Sequence, residues 1–189
     1  MRVTDNRLAP KEKELLVSLI GSELESFVSD KYSSVRPMSF GIVGLRAAGR
    51  TFALRANVVA GEPFGEPDDV TQISFREEAP DSIRPVGIGT QQVEHPIGRI
   101  IKDIKIYEDT LERLEGGTVI NRYISTPVVM FALEGTELVF ENQGWLDEVI
   151  DIHRGPGASS KVRTAESTIE DDDPEEFRVS REVISLGSQ

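Results

Sequence analysis

The chain has 189 residues, 38% hydrophobic and 29% charged, with 33 acidic residues against 21 Lys and Arg, no cysteine and a net charge of −12. That length sustains one domain with a real core, the acidity opposes an extended contact with a phosphate backbone, and the lack of cysteine removes disulfides, thiolate metal sites and cysteine nucleophiles together. No basic start followed by an apolar core opens the chain, and no apolar run approaches the roughly 18 residues of a spanning helix. The reading is a cytoplasmic protein without a nucleic-acid or membrane partner.

Met1 to Ala9 are polar and read as frayed, and Pro10 suits a first helical position. From there to about Asp30, Leu16, Leu19, Ile20, Leu24, Phe27 and Val28 recur at three- and four-residue spacings. The spacing predicts an amphipathic helix whose apolar stripe lies on a sheet. Phe40, Ile42, Val43 and Leu45, then Ala48-Gly49, then Phe52, Leu54, Ala56 and Val58 read as a β-hairpin. A breaker-rich loop from Gly61 to Asp69 leads to a short strand over Val70 to Glu77. Ala79 to Pro96 reads as a connection with one short strand at Ile83 to Ile88.

Ile97 to His153 holds the densest alternation in the chain. Ile100, Ile104 and Ile106 fall on one face of a strand, with Arg99, Asp103 and Lys105 on the other. Gly116-Gly117 reads as a tight reversal into Thr118 to Ser125, and Pro127 separates that segment from Val128 to Leu133. Glu134-Gly135 suits a two-residue hairpin turn into Thr136 to Glu141, because glycine accepts positive φ without steric cost. Asn142-Gln143-Gly144 turns the chain again, and Trp145 starts a last segment with Leu146, Ile150 and Ile152 on one side. The block predicts an antiparallel meander.

Gly155 to Ser160 reads as a flexible break. The remainder carries more acids than bases and few large apolar groups, so residues 155–189 are expected to form an acidic disordered tail behind a single domain over 1–154. Within the tail, Asp173-Pro174-Glu175-Glu176 resembles a helix start, with a capping carboxylate and acids in the first turn, for an element that orders on a partner.

Candidate chemistry is sparse. With only His95 and His153, a metal site would need carboxylates such as Glu94 and Asp151 beside them, and a strand with Asp-x-His on its wet face serves equally well without metal. No serine sits in a Gly-x-Ser-x-Gly turn, and the glycines of Gly41 to Arg50 lack the dinucleotide spacing. Glu137 and Glu141 flank Val139 and could serve as a carboxylate pair, but a solvated strand face explains them better. Trp145 either covers the end of the sheet or anchors a protein contact. No catalytic, cofactor or metal residue is assigned, and the candidate protein-contact residues are Trp145, Glu137, Glu141, Asp171, Asp172 and Asp173.

The expected fold is α+β: an N-terminal amphipathic helix packed on a curved, mostly antiparallel sheet of seven to nine strands or a partly closed barrel, followed by the flexible tail. The expected function is that of a non-enzymatic interaction protein, of immunity or accessory type, that binds a basic protein partner. The alternative is a small-molecule binder or carboxylate-based enzyme with its pocket inside the curved sheet, and self-association through a strand edge is a third expectation.

Overall fold

The computed structural model describes residues 1–31, 37–62, 68–85, 91–144, 147–168 and 176–188. Its strands are β1 (Arg2–Asn6), β2 (Glu23–Asp30), β3 (Met38–Phe40), β4 (Ile42–Ala47), β5 (Arg50–Gly61), β6 (Asp68–Glu77), β7 (Gln92–Glu115), β8 (Thr118–Leu133), β9 (Thr136–Asn142), β10 (Val149–Gly155) and β11 (Phe177–Ser185). All belong to one sheet, and every pairing is antiparallel except the parallel contact of β1 with β8. The one α-helix among the described residues, α1, is eight residues long (Pro10–Val17). This corrects the α+β expectation: the molecule is a mostly antiparallel β-structure, not a sheet bearing a long helix.

The pairings β7–β8–β9–β10–β3–β2 return to β7, so they form a closed ring. Three groups leave it: β4, β5 and β6 continue from β2, β11 lies along the later half of β7, and β1 lies along β8. Closure satisfies strand edges that an open sheet would expose. Phe27, Ile101, Ile104, Phe131, Phe140 and Ile150 are all buried to 1% exposure or less in the main core, which also takes Leu45, Phe52 and Phe75 from the β4–β6 extension.

The expected helix to Asp30 stops at Val17. The Ser18 and Ser22 hydroxyls each donate to the carbonyl three residues back, at 2.6 Å, and Gly21 takes φ +87°. These local bonds compete with helix continuation. Leu24 and Phe27 do enter the core, but from β2, where a bulge between Leu24 and Ser26 places residues three apart on one face. A second bulge acts on β7. The register shifts between Ile101 and Asp103, so the core takes Ile101, Ile104 and Ile106, and the expected Ile100 is only partly buried.

Two further corrections concern the ends. Arg2–Asn6, expected to fray, pairs residue by residue with Asn121–Ser125. Phe177–Ser185, expected in a flexible tail with a helix start, pairs with Lys105–Arg113 as β11. Its β-branched Val179, Val183 and Ile184 fit a strand better than a helix. The short strand expected at Ile83 to Ile88 finds only non-strand backbone at 83–85, and its remainder lies outside the described residues.

The meander itself is present as β7 to β10. Gly116-Gly117 and Glu134-Gly135 make its two tight turns, with φ +55°, +80° and, at Gly135, +70°. Pro127 does not break β8. It sits where the β7–β8 register slips between Tyr107 and Asp109, and a bulge has no ladder bond for proline to lose.

Candidate functional site

The strand register assembles a row of carboxylates on the side of β2, β3, β10 and β9 that faces away from the main core. Met38 lies opposite both Asp30 and Asp151, and Asp151 lies opposite Glu141. Directly paired residues share a face. Asp30, Asp151 and Glu141 are 3%, 7% and 3% exposed, so this row is covered.

Glu141 is the most fully bonded member. Its carboxylate lies 2.9 Å from His153 Nε2, accepts the Arg163 backbone N–H at 2.9 Å and meets the Arg163 guanidinium at 3.3 Å. Burial pushes its pKa up, but the bonds from His153 and Arg163 and the positive charge of Arg163 outweigh that, and the group is held below the usual value. Glu137, two turns of the pleat earlier on β9, accepts the Ser159 N–H at 2.7 Å. Together they bind the segment after β10, which seats Ala158 and Val162 against Val128, Met130 and Val139. The two glutamates singled out on β9 are therefore engaged by this chain's own backbone. Trp145, Asp171, Asp172 and Asp173 lie outside the described residues.

The histidines separate. His95 is in β7, not in a loop, stacked on Phe27 with ring centroids 4.5 Å apart and Nε2 3.0 Å from the Ser29 hydroxyl. Burial, then the nearby Arg154 charge, lowers its pKa. His153 shares the outward side with Asp151 and is taken by Glu141. Among the described residues no three His, Cys, Asp or Glu side chains are grouped to hold a metal ion. One oxygen each of Asp30 and Asp151 is buried without a hydrogen-bond partner, whereas the other Asp30 oxygen accepts the Phe40 N–H at 2.9 Å.

Sequence reasoning passed over the acids of β7. Buried Glu108 receives Lys13 at 2.6 Å and Arg7 at 3.3 Å. Asp109 takes a two-pronged bond from Arg181 at 2.6 and 2.7 Å, and Glu112 takes Arg122 at 2.6 Å and Arg178 at 3.5 Å. Arg181 also lies over the Tyr107 ring and donates to the Arg163 carbonyl, which ties β11 to the segment clamped by Glu141. A signal for this existed: Asp109 and Glu112 are three apart, as are Arg178 and Arg181, the match an antiparallel pair requires.

Two voids adjoin the described surface. One, of about 240 Å³, is lined by Val28, Gly44, Arg46, Ile83, Gln92 and Glu94 among others, outside the ring and beneath the turn at Pro80–Ser82. The buried Gln92 Nε2 on its wall has no partner. The other, beside Tyr123 and Asp109, is about 30 Å³, room for a water or two.

Fold and site define an antiparallel β-protein with a closed ring of strands, an apolar interior and carboxylates answered chiefly by its own arginines. No protein family, curated protein or solved structure matches this chain. No helix among the described residues is long and apolar enough to cross a membrane.

Proposed function

We propose that this chain is a non-enzymatic binding protein that holds a basic protein partner through its acidic surface. The supporting observation is how charge is distributed. Most described arginines are committed to ion pairs within the chain, Arg7, Arg55, Arg122, Arg163 and Arg181 among them. Exposed Glu14, Glu23, Asp68, Asp69, Asp81 and Glu115 have no ion-pair partner among the described residues. These unpaired acids give the described surface an anionic excess, in keeping with the net charge of −12, that steers a cationic surface and suppresses anionic ones. The main core fills the ring with apolar side chains, which favours surface recognition over chemistry in an interior pocket.

Purification of the tagged chain from its native host at low and then high salt tests this reading. A stoichiometric basic protein retained at low salt and released at high salt is the expected result; a chain that emerges alone at both sinks it. The void lined by Gln92 and Glu94 favours a second reading, a small polar ligand held outside the ring. That reading expects a member of a metabolite panel to raise the melting temperature.

A further inference from the structure

We propose that the chain forms a two-fold homodimer by antiparallel pairing of β11 with β11 of a second copy, the axis passing beside Ser180. The Leu114 N–H donates to the Glu176 carbonyl at 2.7 Å, and Phe177 lies opposite Arg113 in the ladder. Backbone groups alternate in direction along a strand, so those of residues 178, 180 and 182 point at β7 and those of Val179, Arg181 and Val183 point the other way. No backbone hydrogen bond reaches these three outward-pointing residues from any described residue. β11 is thus an edge strand of nine residues.

The other long edge is treated differently. On β6, Glu12 accepts the outward Phe75 N–H at 3.2 Å and the Tyr123 hydroxyl donates to the Thr71 carbonyl at 3.4 Å. Side chains thus occupy two of the groups a foreign strand would need. The segment Ala165–Thr168 packs against β11, but among the described residues no side chain is hydrogen-bonded to the outward backbone groups of Val179, Arg181 or Val183, and β11 contains no proline or lysine, residues that commonly blunt an edge.

The sequence of β11 is complementary to its own reverse. Centred on Ser180, Arg178 of one copy falls opposite Glu182 of the other, twice by symmetry, and Phe177 falls opposite Val183. Arg178 keeps 63% of its side chain exposed despite its 3.5 Å contact with Glu112, and Glu182 is exposed with no ion pair among the described residues. Val183 is 52% exposed, a large apolar surface that a second strand would cover. In this register Val179 of each copy forms a hydrogen-bonded pair with Arg181 of the other, so the outward groups of both residues find partners. The inference is independent of the basic-partner reading.

Sedimentation of the full chain at about 0.15 M salt, where repulsion between two acidic molecules is screened beyond roughly 8 Å, tests it. The expected result is a monomer–dimer equilibrium. Arg178→Glu alone and Glu182→Arg alone should each weaken the dimer about tenfold or more, because two facing pairs become like-charged, and the double swap should restore it. Val179→Pro should abolish the dimer, because it removes a donor at the new interface while leaving the bonds to β7 intact; its melting curve shows whether the fold survives. A wild-type monomer at every concentration overturns the proposal. So does a folded Val179→Pro dimer, or a double swap no tighter than the single ones.

Discussion

His95 and Glu141 carry the clearest consequences of acid. Both have pKa values lowered by folding, from ordinary values of 6.5 and 4.5, so for each the unfolded chain takes up the proton more readily. Stability should therefore fall on acidification in two stages: a first loss begins as pH drops through 6.5, when unfolded chains protonate the histidine, and a second begins below 4.5. Urea unfolding across this range checks it. His95→Gln should flatten the upper stage and leave the lower, and Glu141→Gln should leave the upper and shrink the lower, to which Asp5 and Glu78 also contribute. Glu141→Gln should also cost about 2 kcal/mol at neutral pH, because the buried carboxylate gives its charged bonds to both His153 and Arg163. An unchanged acid profile in both variants would show that neither group's environment differs from solvent in the way its contacts imply.

Turns were the most legible elements, because their chemistry is local. Ala48-Gly49, Gly116-Gly117 and Glu134-Gly135 all reverse the chain where expected, and Ala48 is the one described non-glycine residue with positive φ, +53°. Alanine is a poor choice there, so Ala48→Asn should stabilise by about 0.5–1 kcal/mol in thermal or urea unfolding; no gain would mean the hairpin already absorbs the strain elsewhere. Strands were legible only while their period stayed at two. The bulge in β2 sets Leu24 and Phe27 three apart on the core side, and the one in β7 does the same for Ile101 and Ile104. That spacing in sequence looks like a helix in the first case and hides the phase change in the second. The site was half legible for a related reason. Glu137 and Glu141 could be seen on the outward side of a strand, but what they bind is the backbone N–H of Ser159 and of Arg163, and an N–H group has no signature in a sequence.

At the scale of the molecule, the segments after β10 bear directly on stability. The stretch that seats Ala158 and Val162 covers Val128, Met130 and Val139, all 3% exposed or less. Exposing three such side chains costs several kcal/mol by transfer alone, at about 1.5–3 kcal/mol each. Loss of β11 would add the Arg181 partner of buried Asp109, a break of about 3–5 kcal/mol when one member of a buried pair is removed. It would also strip β7 of its neighbour along Lys105–Arg113. These losses together rival the roughly 5–15 kcal/mol of stability that a domain has in total. A chain ending at Gly155 should therefore lose its cooperative unfolding transition and bind a hydrophobic dye in buffer, whereas a segment that merely trails from a finished domain could be removed with the melting curve intact. Arg181→Met in the full chain separates the two contributions: it should lower stability through Asp109 while the cover over Val128 and Met130 stays in place, so dye binding should remain low. If the shortened chain instead melts like the full one, the core of the ring supports itself, and the contacts that Glu137, Glu141 and Asp109 make with the later segments contribute little to its stability.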